Sequence, residues 1–246
     1  ASLCNGATAL ALAAATAGVK FVSCYPMTPA SATFTSLAGL ADEFGIVVEQ
    51  AEDELSAVNM ICGAAYAGVP ALAATSGGGF ALMTEGVSLA GIMELPIVIV
   101  IAMRPGPATG LPTRTAQEDL LFAVRGGHGE FPRAIYAPGT VAQCAELMRT
   151  ALDTAHAVQT PVILLTDQYL QDTMTNLEPL DRTYAPIDRR LVESPGEEYR
   201  RYALTDSGVS PRAIPGGAGY VVCDSDEHTE DGHITESFDA RIAQHN

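Results

Sequence analysis

Four acidic side chains precede a stretch of small and apolar residues: Glu49, Glu52, Asp53 and Glu54. The pattern predicts a helix over residues 52–67, with Glu54 about one turn in. The helix dipole favours acidic residues at an N-terminus, which accounts for Glu52 and Asp53 without any function. The sequence after Glu54, LSAVNMICGAAYAG, indicates a mostly buried helix, so one carboxylate could face an interior. Its pKa would then be raised, and the pattern leaves open whether it is functional or only structural.

Two short segments that follow predicted strands could bind a ligand. In Tyr25-Pro26-Met27-Thr28-Pro29 the prolines fix the backbone around Thr28, so that its hydroxyl points in one direction. A rigid turn without function explains the same residues. Ser76-Gly77-Gly78-Gly79 follows a strand and opens a helix, which allows a ligand to approach the backbone closely. This segment matches neither GxGxxG nor a Walker loop, so it does not specify a nucleotide site.

Arg104 ends the most hydrophobic strand, LPIVIVIAM, and begins the loop PGPATGLPT. A guanidinium there is costly unless it meets an anionic ligand or a carboxylate. The alternatives are therefore a ligand site and a structural ion pair with one of the helix acids. Acidic residues and two histidines are also concentrated over residues 224–233. That cluster could hold a hard metal ion, but a solvated loop is the favoured interpretation, and we predict no metal site in this chain.

The candidate loops need a scaffold that brings them together. Short apolar runs predict buried strands at residues 20–24, 45–49, 70–75, 95–103, 133–137 and 161–166. Segments between them predict helices at 7–17, 52–67, 80–92, 116–125 and 140–157. This alternation favours a doubly wound α/β fold with a mostly parallel six-stranded sheet. Ligands bind such sheets outside the carboxyl ends of the strands, where the candidate residues lie.

Length and composition fit one domain and an appendage. The chain has 246 residues, of which 48% are hydrophobic. We predict one domain over residues 1–170 and an extended arm over residues 171–246. In the arm, proline and charged residues replace the apolar pattern, and only GYVVC at 219–223 predicts a strand. The abrupt beginning and polar end suggest part of a longer chain.

Charge and cysteine usage exclude several classes of function. The formal net charge of −16, from 13 basic and 29 acidic residues, disfavours nucleic acids and anionic membranes as partners. The longest apolar run is far shorter than the roughly 20 residues of a transmembrane helix. The five cysteines are scattered and include no CxxC pair, which favours a reduced, cytoplasmic compartment. They cannot hold an iron–sulfur cluster, so a redox centre must belong to another chain.

Together, the motifs resemble one family along nearly the whole chain. The segments that carry the resemblance are GATALALAAATAGVKF, YPMTPAS, AEDELSAVNMICGAAYAG, ATSGGGFALMTEG, LPIVIVIAMRPGPATGLPT, HGEFPR, APGT and TPVILLTD. They are similar to the alpha subunit of 2-oxoacid:ferredoxin oxidoreductases, particularly the 2-oxoglutarate type. In the arm, EYRRYALTDSGVSPRAIPG and DSDEHTEDGHITE resemble the segment that leads toward the next domain of that family.

The resemblance implies a PYR-type domain, which binds the pyrimidine of thiamine diphosphate and supplies half of a shared site. Glu54 matches the activating glutamate, which would hydrogen-bond N1′ of the aminopyrimidine and favour its imino tautomer. Thr28, Arg104 and Thr113 match substrate-holding positions, and Arg104 would pair with the carboxylate of the 2-oxoacid. Further cofactor contacts would come from Tyr25, Pro26, Ser76 and Gly77.

The implied reaction is the coenzyme A-dependent oxidative decarboxylation of a 2-oxoacid, with 2-oxoglutarate favoured, to acyl-CoA, carbon dioxide and reduced ferredoxin. A partner beta subunit would carry the diphosphate-binding motif, Mg²⁺ and a [4Fe-4S] cluster, in an (αβ)2 assembly. Two alternatives remain, a non-redox thiamine diphosphate synthase or lyase subunit and a non-catalytic assembly subunit. The chain departs from the family pattern at Met27, a mild change that should keep the turn, and in TSGGGF, where the family usually has TSGPGF. It also has Gly6-Ala7-Thr8-Ala9 where the family often has Gly-Asn-Glu-Ala, so contacts made there through Asn or Glu do not transfer.

Overall fold

The computed structural model describes residues 2–178, 185–217 and 219–245. Six strands form one parallel sheet, which confirms the predicted α/β class and doubly wound architecture. These strands are β2 (Phe21–Cys24), β3 (Val47–Gln50), β4 (Ala71–Thr75), β5 (Ile97–Met103), β6 (Ala134–Tyr136) and β7 (Val162–Asp167). Their order is β3-β2-β4-β5-β7-β6. The direction in which strands are added therefore reverses between β2 and β4, and such a switch point is where doubly wound sheets bind ligands.

Helices cover both faces of the sheet. They are α1 (Gly6–Ala17), α2 (Ser31–Phe44), α3 (Glu54–Tyr66), α4 (Gly77–Ile92), α5 (Leu120–Arg125), α6 (Val141–Val158), α7 (Gln168–Asp172) and α8 (Phe238–His245). The sequence analysis missed α2, whose serines, threonines and glycine obscure the helical period. Two neighbouring parallel strands require a crossover of about a dozen residues or more, usually a helix. The predicted strands at residues 20–24 and 45–49 therefore already implied a helix between them.

The core consists of two clusters, one on each face of the sheet. One cluster packs α1, α2 and α6 against the sheet, and the other packs α3 and α4. Strand β5 is fully buried and contributes alternate residues to both, because successive side chains of a strand point to opposite faces. Val98, Val100 and Ala102 belong to the first cluster, and Ile97, Ile99 and Ile101 belong to the second. This burial on both faces explains the continuous apolar run.

Two local predictions need correction. The helix expected from residue 116 begins only at Leu120, because Gln117 donates to Asp167 Oδ2 at 2.8 Å and Glu118 accepts from the Gly106 N–H at 3.2 Å. The strand expected at 219–223 is absent. There the Val221 carbonyl oxygen accepts from the Tyr66 hydroxyl at 3.0 Å, and Tyr220 is 92% exposed, so no strand pairs with this segment.

A second sheet, which the sequence analysis also missed, joins the two ends of the main domain. In it β1 (Ser2–Cys4) pairs with β8 (Thr175–Leu177) in antiparallel register.

The residues after 170 pack back onto the sheet domain. Helix α7 spans position 170, and β8 follows it. Further along, Ile187, Tyr202 and Ala213 are buried.

No helix of the described ranges combines the length and apolar character needed to cross a membrane. All five cysteines lie in those ranges and are free.

Candidate active site

Glu54 is the first residue of α3, at the carboxyl edge of the sheet. The preceding residue, Asp53, caps the helix, because its Oδ1 accepts from the Ser56 N–H at 2.6 Å. The helix therefore begins at Glu54, and not at residue 52 as predicted. Glu54 is only 2% exposed, so the predicted interior carboxylate is this one.

The Glu54 carboxyl group is enclosed and keeps one oxygen without a partner. Oε1 is buried and has no hydrogen-bond partner within the described part of the chain. A Cβ at Gly79 would lie 2.8 Å from Glu54 Cδ and would also overlap the Thr75 hydroxyl. Burial raises the pKa of Glu54 and the charge of Asp53 adds to this, whereas its own backbone N–H and the charge of Arg104 lower it. Such a group is suited to exchange a proton with a ligand.

The loop after β2 crosses the switch point of the sheet. Arg104, which follows β5, donates from Nη1 to the carbonyl oxygen of Thr28 at 2.6 Å. Thr75, the last residue of β4, donates to the sulfur of Met27 at 3.9 Å. The structure thus brings Thr28 and Arg104 together as the carboxyl-end rule indicates. Within the described residues Arg104 forms no ion pair, so the structural alternative of a helix-acid partner is not what holds it.

The remaining predicted loop residues are more open to solvent. Tyr25 is 39% exposed, Pro26 and Thr28 are also exposed, and Arg104 is half-buried. These residues form an open rim above the buried Glu54. Thr113 is exposed on the long loop after β5, and its carbonyl accepts from Arg114 at 3.3 Å. No hydrogen bond joins the Thr113 side chain to Thr28 or Arg104 within the ranges that the structure describes.

The glycine-rich segment forms the first turn of α4, three residues earlier than predicted. Ser76 is fully buried at the N-cap, where its hydroxyl makes no capping bond and has no partner among the described residues. A Cβ at Gly77 would lie 2.6 Å from Asp119 Cγ. Asp119 Oδ2 is likewise buried without a described partner. Burial, followed by the charge of Glu118, raises the pKa of Asp119.

The sequence analysis missed two of these side chains, Thr75 and Asp119. Thr75 had a usable signal, because it is the last residue of a predicted strand and directly precedes the glycines. Asp119 had none, because it meets Gly77 only through tertiary packing.

The acidic and histidine cluster of the arm is divided among separate contacts. Glu227 pairs with Arg241 and His245, and Arg200 pairs with two acids, Glu230 at 3.6 Å and Asp231 at 3.4 Å. Within residues 2–178, 185–217 and 219–245, no group of three or more His, Cys, Asp or Glu side chains is placed to hold a metal ion.

A buried carboxyl, an adjacent glycine turn and a rim arginine lie at the switch point of a parallel sheet, where doubly wound α/β domains bind their ligands. The family model described as "Pyruvate flavodoxin/ferredoxin oxidoreductase, thiamine diP-bdg" matches residues 12–246. The chain belongs to this thiamine diphosphate-binding family.

Named relatives agree with the resemblance to alpha subunits, which is thereby confirmed. The chain is 43% identical to the 2-oxoacid:ferredoxin oxidoreductase 1 subunit alpha of Sulfurisphaera tokodaii, over 94% of this chain and 39% of that protein. It is 42% identical to the 2-oxoglutarate synthase subunit KorA of Archaeoglobus fulgidus, over 84% of this chain and 61% of that protein.

A solved structure shares the fold. The 2-oxoglutarate:ferredoxin oxidoreductase from Magnetococcus marinus, with 2-oxoglutarate, coenzyme A and succinyl-CoA bound, superimposes with a TM-score of 0.94 at 35% identity. The match covers 99% of this chain and 43% of that one. The chain thus spans between about two-fifths and three-fifths of the length of these three proteins.

Proposed function

We propose that this chain supplies the pyrimidine-binding half of a thiamine diphosphate site in a 2-oxoacid:ferredoxin oxidoreductase. The observation that carries the proposal is Glu54, which is 2% exposed and has an unpartnered carboxyl oxygen beside a glycine. A buried carboxyl without a partner is costly, and a ring nitrogen of the cofactor would satisfy it. The relatives named as alpha subunits of such enzymes support the assignment.

The residues at this edge of the sheet fit the cofactor. Glu54 would share a proton with N1′ of the pyrimidine, and burial, which raises the pKa of Glu54, favours the protonated carboxyl group. Gly79, which lacks a side chain, lets the backbone of α4 approach the Glu54 carboxyl group closely, while Ser76 offers an unpartnered hydroxyl. Tyr25 and Pro26 would complete the wall from the loop after β2. When bound, thiamine diphosphate supplies the carbon nucleophile and electron sink that decarboxylation of a 2-oxoacid needs.

The rim of the site would hold the substrate. Arg104 is fixed by its bond to the Thr28 carbonyl and retains further N–H donors for a carboxylate. Thr28 and Thr113 would add hydroxyl groups. We favour 2-oxoglutarate as substrate and coenzyme A as acyl acceptor, because relatives are named for 2-oxoglutarate and the Magnetococcus structure contains both molecules.

The rest of the reaction would belong to a partner. We propose that a beta subunit carries the diphosphate-binding motif, Mg²⁺ and a [4Fe-4S] cluster, and passes the electron pair left after decarboxylation to ferredoxin. Apolar side chains exposed near the site offer a surface for it: Leu111 58%, Leu120 53%, Leu121 69% and Phe122 36%. Apolar patches of this kind mark interaction sites. The assembly would be (αβ)2, and the free cysteines favour a cytoplasmic location.

The test uses the full-length subunit co-purified with its partner, loaded with thiamine diphosphate. Glu54→Gln keeps the size of the side chain and removes the acid, while Glu52→Gln makes the same change at an exposed position two residues away. We expect Glu54→Gln to lower ferredoxin or viologen reduction with 2-oxoglutarate and coenzyme A by about 100-fold or more. We expect Glu52→Gln to retain wild-type activity.

Two outcomes would contradict the proposal. Unchanged activity in assembled Glu54→Gln would assign the chain a non-catalytic assembly role. No reduction by a wild-type complex that has bound thiamine diphosphate, with 2-oxoglutarate or pyruvate, would favour a non-redox enzyme.

A further inference from the structure

The two helices that carry the site end under the C-terminal arm, at the opposite edge of the sheet. At the end of α3, Arg212 donates from Nη1 to the Ala65 carbonyl oxygen at 3.0 Å. At the end of α4, Arg201 donates from Nη2 to the carbonyl oxygens of Met93, at 3.1 Å, and Glu94, at 3.0 Å. The carbonyl groups at a helix C-terminus carry partial negative charge, so a guanidinium placed there is stabilising.

Arg212 has no carboxylate partner within the described residues, although it is only 2% exposed. Its other contacts are the Arg189 carbonyl oxygen, at 2.9 Å from Nη2, and His156 Nδ1, at 3.1 Å. Burial lowers the pKa of Arg212 to about 10, so it remains charged at neutral pH. Burial, together with the charge of Arg212, lowers the pKa of His156 to about 3, so the neutral ring accepts at Nδ1. The carbonyl groups at the end of α3 therefore provide much of the electrostatic stabilisation of the buried Arg212 charge.

At the end of α4, Arg201, Tyr202 and His228 are stacked on one another. The guanidinium of Arg201 lies 4.7 Å from the centre of the Tyr202 ring, which stacks on His228 with centroids 3.6 Å apart. Nε2 of His228 lies 3.3 Å from the carbonyl oxygen of Ile92, the last residue of the helix. Arg201 also pairs with Glu94 at 3.3 Å. The arm therefore reaches the helix end through several side chains from separate segments.

Because α3 and α4 are rigid, the position of their C-terminal ends determines the position of their N-terminal ends. Glu54 is the first residue of α3, and Gly79 lies in the first turn of α4. Helices of this length are stiff, hydrogen-bonded rods that rise about 1.5 Å per residue. The two helices are also closely packed against each other, because a Cβ at Gly86 would lie 2.5 Å from Val58 Cγ1. A shift or rotation at the arm is therefore passed on to the close contact between Glu54 and Gly79.

We propose that Arg201 and Arg212 are positioning residues for Glu54: by fixing the ends of α3 and α4, the arm sets the alignment of the carboxyl group against the cofactor. This inference rests on the proposed function. It adds a role for the arm that the site residues themselves do not reveal.

The test measures the exchange of the C2 proton of bound thiamine diphosphate for deuterium, by rapid quenching and NMR, in the assembled full-length complex. The variants are Arg201→Met and Arg212→Met. The matched control is Arg200→Met, which removes the neighbouring arginine, whose ion pairs within the described residues are with Glu230 and Asp231 on the surface. Because a misplacement of about 1 Å can cost about 100-fold, we expect exchange per bound cofactor to slow by about 10- to 100-fold in the two variants. The control should exchange at the wild-type rate.

A merely structural role predicts a different result. Variants with a lower melting temperature but wild-type exchange per bound cofactor would overturn the inference. Should the methionine variants fail to assemble, Arg201→Gln and Arg212→Gln remove the charge but keep an amide donor, and wild-type exchange in them would overturn it equally. Glu54→Gln is the reference, because wild-type exchange in that variant would refute the proposed function itself. Slow exchange in Glu54→Gln with normal exchange in the arm variants would refute only the role of the arm.

Discussion

Replacing Gly79 by alanine tests the geometry around Glu54 most directly. The new Cβ would lie 2.8 Å from Glu54 Cδ and would overlap the Thr75 hydroxyl. Carbon atoms in contact are normally about 3.5–4.0 Å apart, so a neighbour must move by about 1 Å. The nearest atoms to that Cβ are the Thr75 hydroxyl oxygen and Glu54 Oε1, so the hydroxyl must rotate away and the carboxyl group must move as well. Oε1 has no described partner to hold it in place.

The expected effect on activity is much larger than the effect on stability. Overpacking costs about 1–3 kcal/mol, and alanine regains about 1 kcal/mol of helix propensity over glycine. The net loss of stability is therefore up to about 2 kcal/mol. In contrast, a displacement of about 1 Å at a reacting group can lower the rate about 100-fold. We expect Gly79→Ala to assemble with its partner and to lose about that much ferredoxin reduction.

The control lies on the helix that carries Glu54. A Cβ at Gly63 would meet nothing within 4 Å, so Gly63→Ala should gain up to about 1 kcal/mol from helix propensity and retain its activity. Both variants are assayed in the full-length complex, by steady-state reduction with 2-oxoglutarate and by thermal denaturation. Wild-type activity in Gly79→Ala would show that the alanine is absorbed without moving Glu54, and would refute this account of the site.

Three further results are expected. Arg104→Gln should raise the KM for the 2-oxoacid about 10-fold or more, since a charge-assisted hydrogen bond contributes about 1.5–3 kcal/mol; an unchanged KM in steady-state kinetics would remove Arg104 from the substrate site. In the cofactor-free complex, burial raises the pKa of Glu54 above the ordinary 4.5, so its contribution to stability is full at acid pH and is lost as the pH rises through the raised pKa. The melting temperature of Glu54→Gln relative to wild type should therefore increase from pH 4.5 toward neutrality, and a constant difference would contradict this. Gly86→Ala, whose Cβ would lie 2.5 Å from Val58, should destabilise the complex by about 1–3 kcal/mol, and an unchanged unfolding midpoint in denaturant would disprove the tight packing of α3 on α4.

The features predicted well from the sequence are those set by local pattern. Short apolar runs identified the six strands, most clearly the fully buried β4, β5 and β7, because strands covered on both faces require continuous apolar residues. The small and apolar residues after Glu54 indicated that its helix is buried, and the structure leaves the side chain 2% exposed. The meeting of Thr28 and Arg104 followed from the rule for carboxyl ends of parallel strands.

The features that were missed depend on tertiary contacts. Three consecutive glycines disfavour a helix on propensity, yet α4 begins at Gly77. Glycine is needed at positions 77 and 79, because a side chain there would collide with Asp119 or Glu54. Arg201 and Arg212 lie in a segment whose composition predicts an extended arm, and nothing local in the chain shows that both are buried against distant helix ends. The composition of a segment indicates how much apolar surface it can bury by itself, but it does not reveal which parts of another domain the segment packs against.

The unpartnered polar atoms at the carboxyl edge have a consequence for the lifetime of the protein. Glu54 Oε1, Ser76 Oγ and Asp119 Oδ2 are each buried without a partner in the described ranges, and each such atom costs about 1–3 kcal/mol. A ligand that satisfies them would raise the free energy of unfolding by RT ln(1 + L/Kd), where L is its free concentration. The ligand-free subunit would open more often, and opened chains are the ones that proteases degrade. Cofactor supply would thereby set the abundance of this subunit in the cell as well as its activity.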